Sequence, residues 1–409
     1  MFIRYKKTEE GRSIPVAKVY TREEHPVRNS DIDPDALWAI KKMKAAGAEA
    51  YIVGGAVRDL MLGRKPKDFD VGTSLSPRQT QRLFWNSRII GRRFKIVHLF
   101  FGESKIIEVT TFRSDEENFE DGRNNVYGSI EQDARRRDFS INALYYDPAN
   151  CTILDFNNAM PDFRKKVIRS LIPLSYSFDE DPVRMIRALK YQSTTGFRLK
   201  WDVKAAIKKK SANLEKVSIS RLTEEVMKII SSGSAESIFM SLKEYGLLSF
   251  LFPCLSLYLG YPEVRRSVAE MDEYVRDCKE KDIKAEREVL WYHLMKPLLV
   301  FESVNDMTVP ELFSEGYRQA KVLVSPLTPP NYELEKAVDL VLADLGVKRP
   351  KAKKADRALK KKPNSLGKKR AANEELGGAK KGRDKKRKGS KAASVPPEES
   401  KTMAEIHDL

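Results

Sequence analysis

The sequence predicts an α/β head, an all-α neck and body, and a disordered basic C-terminal tail. Short apolar runs typical of strands alternate with helical segments in about the first 160 residues. Beyond about residue 165, apolar residues recur at three- and four-residue spacing, which is typical of helices. We divide the chain into a polar N-terminal arm (1–35), the head (36–165), a helical neck (166–232), a helical body (233–346) and the tail (347–409).

The positive charge of this chain of 409 residues is concentrated in the tail. Residues 347–409 hold 21 Lys and Arg against 8 Asp and Glu, a net charge of +13 out of +17 for the whole chain. With almost no apolar side chains to offset the loss of chain entropy, this segment is expected to be disordered. Basic runs attract polyanions without reading sequence, which favours RNA contact. The alternative is a solubilising tail without a specific partner.

The composition also predicts the compartment. No run of about 18 uncharged apolar residues is present, so we expect no membrane span, and the first residues lack the apolar segment of a secretory signal. Three scattered cysteines are too few for a disulfide framework or a Cys-based zinc site. We therefore expect a cytoplasmic protein. We also expect it to act as a monomer.

The first candidate site is the pair Asp68 and Asp70, in the apolar run that contains Phe69 and Val71. If this run is a strand, both carboxylates project to one side, where they repel each other unless a cation lies between them. Oxygen ligands suit Mg²⁺, which assists in-line displacement at phosphorus. Taken alone, two acids at this spacing are more often solvated surface residues.

The second candidate is a glycine turn fourteen residues before Asp68. Gly54 and Gly55 separate a predicted strand from a predicted helix, where backbone N–H groups can face an anion. Arg58 follows one turn later and can contact a triphosphate. An ordinary strand-to-helix turn is the alternative.

Glu108 is a third candidate, because it interrupts a β-branched run in which an unpaired charge is costly to bury. It can be a third metal-facing carboxylate on a neighbouring strand. An exposed position on an edge strand explains it equally well.

Two more segments carry polar side chains at regular spacing. If residues 135–142 are helical, Asp138 and Asn142 share one face, with Arg135 one turn earlier; such a face can bind ribose and phosphate. A solvated, salt-bridged helix face is the alternative. Further on, Asp181 is predicted to cap a helix whose first residue is Pro182.

Four blocks in order, GGAVRD, DFD, RRRDFSINALYYD and EDPVRMIRAL, resemble the class II polynucleotide nucleotidyltransferases over residues 37–230. That family has a polymerase-beta-like head and includes CCA-adding tRNA enzymes and bacterial poly(A) polymerases. The resemblance implies Mg²⁺ as cofactor, ATP as substrate and RNA 3′ ends as partner. It also implies catalytic Asp68, Asp70 and Asp138, metal ligands Asp68, Asp70 and Glu108, and nucleotide-binding Gly54, Gly55, Arg58, Arg137, Asn142, Asp181 and Arg184.

The segment from Gly91 to His98 distinguishes the two branches of the family. Its Gly-Arg-Arg-Phe turn, followed by an alternating strand that ends in His98, resembles the poly(A) polymerase branch. This resemblance implies template-independent transfer of AMP from ATP to RNA. Three alternatives stay open: CCA addition to tRNA, a non-catalytic RNA-binding protein on a nucleotidyltransferase head, and a nucleic-acid-binding protein that acts through its tail alone.

Overall fold

The computed structural model of the protein describes residues 1–8, 10–91, 95–102, 105–114, 127–302, 304 and 306–349. Within these residues, a mixed sheet of nine strands has the order β1-β2-β9-β8-β3-β4-β7-β6-β5, and every neighbouring pair is antiparallel except β4 with β7. Its strands are β1 (Phe2–Lys7), β2 (Ser13–Tyr20), β3 (Ala50–Val53), β4 (Asp70–Thr73), β5 (Ser87–Ile90), β6 (Ile96–Phe101), β7 (Lys105–Thr111), β8 (Leu144–Asp147) and β9 (Thr152–Asp155).

Helices connect the strands and then form the rest of the described chain. Those of the head are α1 (Pro34–Ala45), α2 (Gly55–Met61), α3 (Pro77–Leu83), α4 (Ile130–Arg135) and α5 (Met160–Lys165). Those that follow are α6 (Leu174–Glu180), α7 (Val183–Thr195), α8 (Trp201–Lys210), α9 (Ile219–Ile230), α10 (Ala235–Glu244), α11 (Leu248–Leu251), α12 (Pro253–Tyr258), α13 (Pro262–Glu280), α14 (Arg287–Met295), α15 (Val309–Val324) and α16 (Asn331–Asp344). A short parallel pair, β10 (Val167–Ile168) and β11 (Arg198–Leu199), joins the two regions.

The predicted α/β head with a helical region after it is confirmed, and local signals explain why. Helix α1 starts where the Asp33 carboxylate accepts a hydrogen bond from the Asp35 N–H at 2.9 Å, with Pro34 as its first residue. Two residues after α1 ends, Gly47 has a φ of +81°, a conformation that a glycine adopts without strain. The apolar spacing of LWAIKKMKAAG predicts a helix from Pro34 that ends at Gly47, and α1 ends two residues before that glycine.

The segment 1–35 is not a polar arm, because it supplies β1, β2 and the start of α1. Strand β2 pairs with β9, with Val19 opposite Leu154, and thereby extends the sheet. Strand β1 buries almost none of its side chains, so its sequence carries no alternation of apolar and polar residues. Backbone pairing with β2 holds it in the sheet instead.

The prediction for residues 135–142 assumed a helix, and the structure shows that this segment is not one continuous helix. Helix α4 ends at Arg135, a turn follows, and residues Ser140–Asn142 form a single turn of 3₁₀ helix. The Ser140 N–H donates to the carbonyl of Arg169 at 2.9 Å, and Phe139 is fully buried. These tertiary contacts take the place of helix continuation.

The two faces of the sheet differ in what covers them. One face is packed throughout against the main core through residues such as Val71, Val97 and Val109. On the other face, a second cluster covers β3, β8 and β9, and its members are Tyr51, Val53, Phe112, Ile130, Ala134, Tyr145 and Leu154. On that same face, Phe100 and Ile106 of β6 and β7 are 42% and 39% exposed.

Residues Met1–Arg349 form one compact unit, so the predicted boundaries at residues 165 and 232 stay predictions. The basic tail predicted from residue 347 lies outside the described residues from Pro350 onward. None of the helices in the described ranges has the length and apolar character needed to span a bilayer.

Candidate active site

The predicted acid pair lies where β4 begins, at the border between the covered and the open part of the sheet. Both acids were expected on one strand. Asp70 is the first residue of β4, but Asp68 lies on the exposed loop before it. The side chains still alternate, because Phe69 and Val71 are buried in the main core while Asp68 and Asp70 are not. The two carboxylates therefore share one side of the chain.

The position of Glu108 excludes the edge-strand explanation. Strand β7 lies between β4 and β6, and Glu108 is directly opposite Asp70 in the parallel pair. The other neighbour of Glu108 is His98 on β6, whose Nε2 lies 3.5 Å from the Glu108 Oε1. Glu108 thus faces the same side as Asp70 and is 46% exposed there.

The electrostatic environment of Asp70 is unfavourable for its negative charge. Burial, with the negative charges of Glu108 and Asp68, raises the pKa of the Asp70 carboxyl to about 6, against the opposing charge of Arg137. A bound cation relieves this repulsion, and a donor set made only of carboxylate oxygens suits Mg²⁺. Within the described ranges, no three His, Cys, Asp or Glu side chains are grouped closely enough to form a complete metal site.

The glycine turn lies directly beside this acid. Gly54 has a φ of +70°, and a Cβ at this position would lie 3.4 Å from Nη1 of Arg137 and 3.7 Å from Oδ2 of Asp70. A side chain would therefore fill the space between the turn and the acid. Gly55 then starts α2, which places Arg58 one turn into that helix.

Arg58 connects the Gly54–Gly55 turn, through a hydrogen bond, to Asn142 in the segment after α4. Its guanidinium contacts the Asp59 carboxylate at 2.8 Å and donates to Oδ1 of Asn142 at 3.0 Å. It also lies over the ring of Tyr191 on α7, 5.0 Å from the centroid. Arg58 is thus held between the head and the first long helix of the neck.

Arg137 is fixed from three sides on the covered half of the sheet. It donates to the Tyr145 hydroxyl at 2.9 Å, to Oδ2 of Asp133 at 3.0 Å and to the carbonyl of Asn142 at 3.3 Å. Sequence reasoning did not single out Asp133 or Tyr145. The spacing of four residues between Asp133 and Arg137 is the signal in the sequence from which this ion pair could have been predicted.

Asp138 is paired with the neck instead of with Asp70 and Glu108. Arg187 of α7 contacts its Oδ2 at 2.7 Å, and Asn142 and the Phe139 N–H donate to its Oδ1 at 3.1 and 2.8 Å. Burial raises the pKa of Asp138, but Arg187 and these hydrogen bonds outweigh it and hold the pKa below its usual value. The predicted proximity of Asp138 and Asn142 is present, although no helix connects them.

Asp181 and Arg184 lie at the junction of α6 and α7. Helix α7 starts at Val183 with Pro182 as its N-cap, one residue later than predicted, although the Asp181 carboxylate still accepts a hydrogen bond from the Val183 N–H at 3.1 Å. Its other oxygen contacts Arg221 of α9 at 2.7 Å. Arg184 donates to the carbonyl of Ser177 at 2.9 Å.

A cavity of about 240 Å³ opens beside the acids and combines both signs of charge. Burial and the nearby positive charge of Arg136 lower the pKa of Arg113 in its wall. The cavity is lined by Val53, Asp70, Glu108, Thr110, Thr111, Arg113, Asp133, Arg136 and Arg137. Several guanidinium groups beside carboxylates form a suitable environment for phosphate groups with a metal ion.

Two family descriptions match the chain. Residues 50–169 match "Poly A polymerase head domain", and residues 196–259 match "Probable RNA and SrmB- binding site of polymerase A". The first match contains Gly54, Asp70, Glu108 and Asp138, and thus the whole head part of the site.

Relatives of both branches of the family are similar to the chain. Poly(A) polymerase I of Salmonella typhi is 38% identical over 65% of this chain and 60% of its own length. Poly(A) polymerase I of Escherichia coli O6:H1 is 35% identical over 75% of this chain and 70% of its own length. The CCA-adding enzyme of Geobacillus kaustophilus is 35% identical over 53% of this chain and 54% of its own length. The chain thus spans about 60% of the length of the Salmonella relative.

Solved structures have the same fold. A Bacillus stearothermophilus CCA-adding enzyme in complex with CTP is 26% identical and covers 78% of this chain and 84% of its own, with a TM-score of 0.51. A tRNA nucleotidyltransferase with a primer tRNA and an ATP analog has a TM-score of 0.53 over 80% of this chain and 87% of its own; at 22% identity, it shows the fold alone. The fold and the head-domain match define a nucleotidyltransferase. The chain belongs to the polynucleotide nucleotidyltransferase family of bacterial poly(A) polymerases and CCA-adding enzymes.

Proposed function

We propose that this protein transfers AMP from ATP to the 3′ end of RNA without a template and releases pyrophosphate. The observation that carries the proposal is the position of Asp70, which starts β4 opposite Glu108 and beside both the Gly54 turn and Arg137. Acids that repel each other next to fixed guanidinium groups suit the transfer of a phosphoryl group with metal assistance.

Asp68 and Asp70, with Glu108 as a third candidate, would hold Mg²⁺. Their fit rests on donor chemistry: all three are carboxylates, and the raised pKa of Asp70 reflects first its burial and then the neighbouring negative charges, which Arg137 offsets only in part. When bound, Mg²⁺ neutralises negative charge at the phosphates and helps to activate the attacking 3′-hydroxyl.

The protein's own residues bind and orient the nucleotide. The N–H groups of the Gly54–Gly55 turn, with Arg58 and Arg137, hold the triphosphate, because all of them border the space beside Asp70 or the turn itself. Asn142 orients the sugar, since it bonds with both Arg58 and Asp138.

Residues at the start of the neck choose the base. Asp181 and Arg184 carry hydrogen-bonding groups at the junction of α6 and α7, and we assign to them the preference for adenine that a template would otherwise provide. Asp138 keeps its predicted catalytic role in this proposal: together with Asn142 it orients the sugar, and its ion pair with Arg187 holds its carboxylate at the junction of head and neck.

Poly(A) synthesis is favoured over CCA addition because the similarity to a poly(A) polymerase covers more of the chain than the similarity to a CCA-adding enzyme. The E. coli poly(A) polymerase matches 75% of the chain, whereas the Geobacillus CCA-adding enzyme matches 53% at the same 35% identity. The segment from Gly91 to His98 favours the same branch, although residues 92–94 lie outside the described ranges. The basic tail suits an enzyme that holds many unrelated RNAs.

A non-catalytic RNA-binding role is the weaker alternative, because Asp68, Asp70 and Arg58 are all present, and Asp70 and Arg58 lie beside the turn. The cytoplasm remains the predicted compartment, in agreement with the three free cysteines. A monomeric state remains a prediction as well.

The test is to incubate the protein with Mg²⁺, an unstructured RNA and each nucleoside triphosphate singly, and to size the products on a gel. We expect long homopolymer tails from ATP and poor incorporation of CTP. Efficient use of CTP, with growth that stops after three nucleotides on a tRNA lacking its CCA end, establishes the CCA-adding alternative. No extension with any nucleotide supports the non-catalytic one.

A further inference from the structure

The open part of the sheet carries an unusual set of exposed side chains. We call this surface the open sheet face and define it by the outward side chains of β5, β6 and β7, namely Arg88, Ile90, His98, Phe100 and Ile106. Phe100 is 42% exposed, and Ile90 and Ile106 are 38% and 39% exposed. Phe100 and Ile106 are directly opposite each other in the pairing of β6 with β7, and a contiguous apolar patch on a solvated face indicates a surface that binds a partner.

Alternation along the strands shows that the exposure is confined to one side. Residues 97 and 99 of β6 and 107 and 109 of β7 point the other way and are at most 2% exposed, within the main core. Exposure of Phe100 and Ile106 is therefore not a sign of a loosely packed edge. The same strands are closely packed on one face and open on the other.

Strand register connects this face to the catalytic acids. Asp70 of β4 is opposite Glu108 of β7, Glu108 is opposite His98 of β6, and His98 is opposite Arg88 of β5. With a spacing of about 4.8 Å between strands, His98 lies about 10 Å and Arg88 about 15 Å from Asp70 along this row. The row thus leads away from the acids in a straight line across the sheet.

The chemistry along the row suits a single-stranded nucleic acid. The ring centroids of His98 and Phe100 are 6.2 Å apart with an angle of 65° between the ring planes, and Arg88 supplies a positive charge at the far end. Bases stack on exposed aromatic rings independently of sequence, and a cation at the edge attracts the phosphate backbone. A protein partner would cover the apolar residues equally well but would have no reason to approach the acids.

In the proposed function, the incoming nucleotide binds on the other side of Asp70, toward β3 and the Gly54 turn. Gly54 follows β3, and Arg58, which donates to Asn142, lies over the ring of Tyr191 in the neck. The sheet at β3 and β8 is already covered by the second hydrophobic cluster. The incoming nucleotide and the RNA must meet at the acids from different directions. The open sheet face is the direction that the nucleotide residues leave free.

We propose that the open sheet face binds the last nucleotides of the RNA acceptor, with a base stacked on Phe100 beside His98 and the backbone directed toward Arg88. This inference rests on the proposed function, because the bound RNA is the acceptor whose 3′-hydroxyl receives AMP in that function. Phe100 is a positioning residue here, and it does not touch the reacting atoms.

The test uses Phe100→Ser, with Tyr5→Ser as the matched control. Tyr5 is an exposed aromatic residue (58%) on β1, at the opposite edge of the same sheet. An RNA with a 3′-deoxy end and 2-aminopurine as its penultimate base reports stacking by quenched fluorescence without any turnover. Extension of the unmodified RNA with ATP gives the KM for RNA and the KM for ATP.

For the wild type, we expect quenching on binding. Phe100→Ser should lose most of it, and the Kd and KM for RNA should rise about fivefold or more. The KM for ATP should change less than twofold, and Tyr5→Ser should behave as the wild type. Circular dichroism checks that both variants are folded.

Unchanged RNA affinity and quenching in Phe100→Ser overturn this assignment and leave the face as a surface for a protein partner. A rise in the KM for ATP equal to that for RNA also overturns it. A wild-type protein that quenches the probe but extends no RNA with any nucleotide contradicts the proposed function and retains the binding surface. The two failures are therefore distinguishable.

Discussion

The two acidic centres of the head, Asp70 and Asp138, have opposite electrostatic environments. Asp70 has Glu108 and Asp68 as near neighbours, and its pKa is raised to about 6. Asp138 has Arg187 at 2.7 Å and two further hydrogen-bond donors, and its pKa is lowered. Both carboxylates occur in segments that look alike in the sequence, a short run of polar residues around a phenylalanine.

The difference teaches how to separate a binding acid from a structural one. An acid whose charge is opposed by its neighbours is prepared to receive a cation from outside the protein. An acid that already has a buried cation contributes to the fold, and its removal leaves that cation without a partner. We therefore expect substitutions at the two centres to separate activity from stability.

The largest expected effect is on activity at the first centre. Asp68→Ala or Asp70→Ala should reduce AMP addition by about a thousandfold or more, because metal assistance contributes several kcal/mol to the transition state. Thermal unfolding without Mg²⁺ should show no loss of stability, since a like-charge repulsion is removed. The control is Glu23→Ala, at an exposed acid of the head outside the site. Near-normal product from both aspartate variants would exclude the metal assignment.

The next largest effect is on stability at the second centre. Asp138→Asn should lower the free energy of unfolding by about 3 kcal/mol, because Arg187 is left without its buried partner. This is the low end of the usual range, since the Arg187 side chain is still 32% exposed. Urea unfolding monitored by circular dichroism measures the change.

The matched control for that measurement is the exposed ion pair between Lys200 and Asp202, whose side chains are 43% and 30% exposed. Asp202→Asn should cost less than about 1 kcal/mol. If Asp138→Asn costs no more than Asp202→Asn, the contrast between the two centres of the head is wrong.

The pH dependence of stability should have opposite signs at the two centres. The folded pKa of Asp70 is about 6 against an ordinary value of 3.8, so between these values the folded protein binds a proton that the unfolded chain does not. In EDTA, Asp70 should therefore add stability as the pH falls from about 6 to about 4, on the order of 2 kcal/mol. Asp138 should instead lose its contribution as the pH falls below its ordinary value of 3.8.

Unfolding free energies of the wild type and Asp70→Asn, measured over pH 4–8 in EDTA, isolate the first of these contributions. The difference between the two proteins should change across this interval and should become flat in saturating Mg²⁺. A difference that is already flat in EDTA would show that Asp70 is not under the repulsion described.

The smallest effect concerns the tail, which lies outside both centres. Truncation after Gly346 removes a segment of net charge +13, so RNA affinity at about 0.1 M salt should fall about tenfold and the slope of log affinity against log salt should flatten. The single-turnover rate at saturating RNA should change less than twofold, because every proposed chemical contact precedes residue 190. Binding of a labelled RNA over a salt series and single-turnover AMP addition measure the two quantities.

Either of two results would change this view of the tail. Retained affinity and slope make it a solubilising segment. A collapse of single-turnover chemistry makes it part of the organisation of the active site.

Local elements were predictable from the sequence wherever one face is buried. Helix α1 lies where the apolar spacing predicted it, because burial of one face imposes a period on the residues. Strand β3 is buried on both faces and lies where a continuous apolar run before the glycines predicted it. Strand β1 was missed because neither of its faces is buried. The helix break after Arg135 was missed because its causes, the contacts of residues 139 and 140, come from distant segments.

The sequence by itself determined the types of residue in the site and their order along the chain, and these sufficed to identify the family. Tertiary structure alone decided which residues meet: the parallel pairing of β4 with β7 places Glu108 opposite Asp70, and the packing of α7 places Arg187 on Asp138. It also brought Tyr145 and Asp133 to Arg137, which no motif predicted. The physical reason is that a carboxylate's role depends on its burial and on the charges within a few ångströms, and in a folded chain those come from segments far apart in the sequence.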